Sequence, residues 1–113
     1  MFTVDRNSKR TFDSETGSEL YCDQTFRDGT RNFSIECSDG KIQFSASSQQ
    51  KFDGDGGRCT ILWHVRHPFY VSGEVKSYIA TKIIEDALTA YKQLNGLPQD
   101  ARVEIKYVNE GEA

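Results

Sequence analysis

Two Asp-Gly pairs, Asp28-Gly29 in "FRDGTR" and Asp39-Gly40 in "CSDGKI", bracket the alternating run "NFSIECS". Asp-Gly is the strongest short hairpin signal, because both central residues of a type I′ turn need positive φ. The two pairs therefore mark where the chain reverses, and they imply a register. With Arg27 opposite Thr30, Cys22 meets Ile35 and Leu20 meets Cys37. With Ser38 opposite Lys41, Ile35 meets Phe44 and Phe33 meets Ala46. Both hairpins then put Leu20, Cys22, Phe26, Phe33, Ile35, Cys37, Ile42, Phe44 and Ala46 on one face. Asp23, Thr25, Ser34, Glu36, Lys41, Gln43 and Ser45 fall on the other. Side chains alternate with period two, so a one-residue slip would invert every one of them. Turn chemistry and apolar alternation agree on a β-meander.

Short strands precede it: "KRTF", closed by the turn "SETGS", and "FTV" as an edge. After it, "SSQQKFDGDGGR" reads as a flexible connection into "CTILWHVR", where Cys59, Ile61, Trp63 and Val65 alternate inward. Pro68 stops that strand by removing a ladder donor and keeping His67 extended. The period then changes. Val75, Ile79, Ile83, Ala87, Tyr91 and Leu94 recur every three to four residues, widened by Tyr78, Ile84 and Leu88. Ser72 suits an N-cap, and Asn95-Gly96 before Leu97-Pro98 suits a C-cap and stop, giving a helix of about 22 residues, roughly 33 Å long. Finally "ARVEIKYV" alternates Val103, Ile105 and Tyr107 against Arg102, Glu104 and Lys106, a closing strand after a parallel crossover. The expected fold class is α+β: an antiparallel meander of about four or five strands, one long helix of the C-terminal half on its apolar face, and a final short strand. Residues 1–113 read as one domain, with 109–113 a frayed acidic tail.

A net charge of -3 opposes the footprint of a protein that neutralises many phosphates. It favours solubility and docking onto a basic partner. The opening "MFTVDRNSKR" lacks the apolar core of a signal peptide, and no apolar run approaches the roughly 20 residues that cross a bilayer. A cytoplasmic location, away from membranes, is the expectation.

Most chemistry fails on spacing. His64 and His67 would share a face on a helix but point to opposite faces on a strand, and no Cys or carboxylate completes a ligand set beside them. Cys22, Cys37 and Cys59 form no CxxC pair; the implied registers make Cys22 and Cys37 diagonal neighbours, and small buried hydrophobes are the expected role. "DGDGG" (53–57) resembles a calcium loop, but Arg58 and His64 stand where the motif needs Gly and Glu. No phosphate-cradling loop appears, and Glu85-Asp86 reads as helix surface. No metal, cofactor or catalytic constellation is implied.

What remains is a non-catalytic protein-binding module of the inhibitor, immunity-type or regulatory kind. Its candidate contact residues are His64, Arg66, His67, Phe69 and Tyr70, which leave a strand with ring and guanidinium side chains, and Asp53 and Asp55 in the adjoining loop. Homodimerisation through an unpaired edge strand is a variant of that reading. Two alternatives belong to other classes. One is binding of single-stranded nucleic acid on sheet aromatics, which requires Phe33, Phe44 and Trp63 to lie open. The other is a ligand carrier or enzyme with a site between helix and sheet.

Overall fold

A computed structural model describes residues 1–52, 54, 58–92 and 101–109. In chain order the elements are β1 (Thr3–Asp5), β2 (Arg10–Asp13), β3 (Ser18–Thr25), β4 (Arg31–Cys37), β5 (Gly40–Phe52), β6 (Cys59–His67), β7 (Tyr70–Gly73), α1 (Ser77–Tyr91) and β8 (Arg102–Asn109). Strands take up 58% of the described residues and form one sheet that curls into a mixed half-barrel around the helix. The strands run β1-β2-β3-β4-β5-β6-β8, with β7 paired to β5. Pairing is antiparallel except for β6 with β8, which are parallel across the crossover through α1.

This overturns the expected meander of about four or five antiparallel strands under a long helix. Three physical reasons account for the difference. First, the polar run "SSQQK" is strand: Ala46–Phe52 pairs with Cys59–Val65. A ladder is made by backbone groups, so polar side chains mark only where the face lies open to water. Second, β5 is 13 residues long and takes two partners on one side, β6 along Ala46–Phe52 and β7 along Gly40–Gln43. The segment "YVSG" is therefore a strand, and Ser72 lies within it rather than capping a helix. Third, α1 has 15 residues, starts at Ser77 with no side-chain cap on Lys76, and is about 23 Å long. The expected C-cap at Asn95-Gly96 and most of the acidic tail (110–113) lie outside the described residues.

Both hairpin registers differ from expectation by two residues, a shift that preserves faces. Cys22 pairs Phe33, Leu20 pairs Ile35, and Ile35 pairs Ile42. The β3–β4 reversal is wider than a two-residue turn, with Phe26 N–H donating to the Thr30 carbonyl at 2.8 Å. A bulge between Cys22 and Gln24 compensates in β3. Past that irregularity the alternation expected for Cys22 and Phe26 fails, and both are exposed. Cys37 and Cys22 are consequently not diagonal neighbours, and all three thiols are free.

At the β4–β5 reversal, Gly40 is paired with Cys37 instead of sitting inside the turn. Its glycine is needed for another reason. A Cβ there would fall onto the Ser72 carbonyl oxygen, while a Cβ on Gly73, at φ +77°, would lie 2.6 Å from the Gly40 Cα. Two backbones meet at this point without side chains between them, and Glu74 N–H donating to the Asp39 carbonyl at 2.6 Å closes the junction.

One row of side chains crosses six strands of the inner face: Val4, Thr11, Leu20, Ile35, Ile42 and Val71. Beside it Phe33 stacks on Phe44 (5.2 Å, 20°) and meets Trp63 and Tyr91 edge-on at 5.8 and 5.3 Å. Burial of Phe33, Phe44 and Trp63 is near complete, at 1%, 5% and 2% exposure. The helix covers them with Ala80, Ile84, Ala87, Leu88 and Ala90. Three of those five are alanines, which let the helix axis approach the sheet closely. The innermost stripe is thus rotated from the expected one: Ile83 is half-buried, and Ile79 and Tyr78 are exposed. At the helix end the buried Lys92 ammonium donates to the Ala101 carbonyl at 2.6 Å, tying α1 to the start of β8.

Trp63→Ala should lower unfolding free energy by roughly 3–5 kcal/mol in a denaturant titration, through lost burial and an unfilled cavity. Gly73→Ala should cost clearly more than Gly29→Ala. Both glycines have positive φ, worth about 1–2 kcal/mol to any L side chain, but only Gly73 also has backbone in the way. Equal losses in the same titration would contradict the close approach of β5 and β7.

Candidate functional site

The residues singled out from the sequence are placed on two faces. His64 and Arg66 stand on the outer face of β6, in register with Lys106 and Val108 of β8. They line a shallow hollow of about 220 Å³ with Thr30 and Ser47. Arg66 also borders a second cleft, about 520 Å³, with Asp23, Gln43, Phe69 and the exposed Tyr70. Three of its polar residues are already partnered: Asp23 accepts from Ser34 Oγ at 3.3 Å, and Ser45 Oγ donates to Asn32 at 2.7 Å.

His67 points the other way. Its ring meets Phe69 edge-on at 5.3 Å and Tyr107 at 6.4 Å. The Tyr107 hydroxyl donates to the Thr81 carbonyl at 3.3 Å. Burial, with a smaller push from Glu85, raises the Tyr107 hydroxyl to about 12. His64 and His67 therefore cannot converge on one ligand, as their opposite faces on a strand required. Asp53 and Asp55 lie outside the described residues. The fold thus brings Arg66, Phe69 and Tyr70 together, leaves His64 at their margin, and sets the exposed His67 against Phe69 and Tyr107 on the opposite face of β6.

A larger groove, about 660 Å³, opens where the N-terminal half of α1 meets the β1–β2 arm and the β4–β5 turn. Phe2, Cys37, Val75, Ile79 and Ile83 supply its apolar lining, and Asp13, Glu15, Asp39, Glu74 and Asp86 stand among it with Lys76 and Lys82. Its walls are held by specific bonds. Phe2 N–H donates to Asp86 at 2.9 Å, clipping the start of the chain to the helix. The Met1 ammonium lies 3.0 Å from Asp13, whose other oxygen accepts the Glu15 N–H at 2.9 Å. The hydrogen bond from that ammonium, aided by the two turn amides, holds the Asp13 carboxyl below the usual carboxylate range. Five carboxylates against two lysines and one ammonium leave the groove negative.

Sequence reading missed this groove by assigning Val75, Ile79 and Ile83 to the sheet-facing stripe. A signal was present. Eleven apolar positions from Val75 to Leu94 span more of the helix circumference than one covered face of somewhat over 100° accounts for. A helix with so wide an apolar sector has a second surface to satisfy. Here that second surface carries Tyr78, 69% exposed, and Ile79, 39% exposed.

Among the described residues, no helix is long and apolar enough to cross a membrane. Nor does any group of three or more His, Cys, Asp or Glu side chains among them stand where it could hold a metal ion.

A phenolate titration followed by ultraviolet absorbance should show a step near pH 12, and Tyr107→Phe should remove it. The folded value lies above the free one, so the contribution of this group to stability is intact below pH 10 and is lost as the pH climbs toward 12. A titration unchanged by Tyr107→Phe would refute the assignment. Compared with models of protein families, with curated proteins and with solved structures, the chain matches none of them.

Proposed function

We propose that the protein is a non-catalytic binding module acting through protein–protein contact, and that the groove beside α1 receives a basic segment of its partner carrying apolar side chains. An inhibitory, immunity-type or regulatory role falls within this class. The observation that carries the reading is Ile79, an aliphatic side chain left open on the helix beside the groove and set among five carboxylates. Apolar surface of that kind is recovered by burial against a partner. The surrounding negative charge selects lysine or arginine at the rim and speeds encounter, in line with a chain of net charge -3. Arg66, the half-buried Phe69 and Tyr70 border one cleft and form a second contact patch of ring and guanidinium groups.

The competing reading, stacking of bases on sheet aromatics, loses its platform. Phe33, Phe44 and Trp63 lie against one another and Tyr91 under the helix, with no ring face open to a base. The space between helix and sheet is filled by Phe33, Ile84, Leu88 and their neighbours, so the structure supplies no support for a ligand carried there.

Fluorescence anisotropy with labelled peptides tests the proposal. A peptide of alternating lysine and leucine should bind, its affinity falling between about 50 and 200 mM salt as the rim charges are screened. The same peptide with glutamate for lysine should not. Ile79→Asp should weaken binding roughly tenfold or more through loss of the apolar contact, and Glu74→Lys should flatten the salt dependence. Equal binding of both peptides, or an unchanged affinity in Ile79→Asp, would overturn the proposal.

A further inference from the structure

The two edges of the sheet are unlike. β1 at one end is three residues long, whereas β8 at the other runs for eight, Arg102 to Asn109. One side of β8 is paired with β6, and no described strand pairs with the other side of residues 102–108. A long edge strand is ordinarily blunted by proline, a bulge or an inward-pointing charge. Residues 102–108 contain no proline or glycine, and their register with β6 is unbroken. Charges occupy only the outer face, at Arg102, Glu104 and Lys106, while Val103, Ile105 and Tyr107 face inward and are half-buried against the core.

We infer that β8 pairs antiparallel with β8 of a second copy of this chain, about a two-fold axis through Ile105. Identical antiparallel strands related by such an axis bring residues equidistant from it face to face. Centred on Ile105, the outer face sets Glu104 opposite Lys106 twice, once on each side of the axis. The inner face sets Val103 opposite Tyr107 twice and Ile105 opposite itself. Opposite charges and apolar pairs directly across a ladder both stabilise it. Neighbouring registers do worse. Centring on Glu104 sets Glu104 against itself and Arg102 against Lys106; centring on Lys106 sets Lys106 against itself. Centring on Val103 opposes Arg102 and Glu104 but carries the second half of the strand past its partner. All of these registers keep the apolar faces of both sheets together, and only the one centred on Ile105 also sets Glu104 opposite Lys106 on both sides of the axis. The two half-barrels become one continuous sheet, with β8 and its copy at the middle. This interface is separate from the groove beside α1 and stands independently of what that groove binds.

Sedimentation velocity on the full chain across a broad concentration range provides the test, with circular dichroism to check folding. The wild-type chain should dimerise. Glu104→Lys sets lysines against each other across the axis, and Lys106→Glu sets glutamates against each other; each should weaken the dimer roughly tenfold or more. Both positions face outward, so the fold should be retained. Mixed one to one, the two single variants should form a heterodimer, since every cross-strand pair is then again of opposite sign. The double variant Glu104→Lys/Lys106→Glu should regain the homodimer. A wild-type chain monomeric at all concentrations overturns the inference. So does a dimer indifferent to either single change, or a mixture that fails to associate. If a single variant does not fold, the double variant alone decides: a dimer supports the register and a folded monomer refutes it.

Discussion

Phe33 is the ring on which the structure turns. It stacks on Phe44 from the next strand, meets Trp63 from the strand beyond, and meets Tyr91 from the last turn of the helix. Three strands and the helix are thereby fixed to one side chain of 1% exposure. Offset-stacked and edge-on ring pairs favour particular angles as well as burial, so the cluster sets how the helix lies as well as that it lies there. Arg31 completes the arrangement from the inner face of β4, donating to the Tyr91 hydroxyl at 3.0 Å.

Given that anchor at the C-terminal end of α1, the rest of the helix is constrained by size. Ala80, Ala87 and Ala90 sit on the sheet side because a close approach leaves room for little more than a methyl group there. The larger Val75, Ile79 and Ile83 are turned toward the β1–β2 arm and the β4–β5 turn, and the groove is the gap between these parts. Its position further depends on the Gly40–Gly73 contact, which draws the chain leaving β7 against the Asp39 carbonyl and so sets where the helix can begin. The acidic groove is a consequence of how one aromatic cluster and one glycine contact orient a helix whose apolar sector is too wide for a single sheet.

Legibility in the sequence followed the range of the interaction responsible. Period-two alternation placed Leu20, Phe33, Ile35, Ile42, Phe44 and Ala46 on the inner face, and all six are buried. The same reasoning placed Cys59, Ile61, Trp63 and Val65 inside, where they are. It failed at Cys22 and Phe26, where a bulge breaks the alternation, and at the two hairpin registers, where Asp-Gly signalled a reversal without fixing its length. Polar Ser47–Lys51 read as a loop because a strand with a wet face has no apolar signature. Among the contact residues, Arg66, Phe69 and Tyr70 were reached by composition and do share a cleft, while His67 is taken up by Phe69 and Tyr107. The acidic groove could not be reached this way. Its carboxylates come from β2, the turn after it, the β4–β5 turn, the β7–α1 link and the middle of α1, positions with no spacing in common.

The sequence by itself determined most of the inward-facing residues between Leu20 and Val65, that the chain reverses near its two Asp-Gly pairs, and that a helix follows the β6 region before a last strand. Those properties are set by neighbours a few positions away, whose period and turn chemistry are written in order along the chain. Only the tertiary structure decided which strands adjoin, how far each hairpin is offset, and which sector of the helix meets the sheet. These depend on side-chain volumes meeting across long separations, such as Gly40 against Gly73 and Phe33 against Tyr91. Close packing admits one such arrangement among many that share the same local pattern.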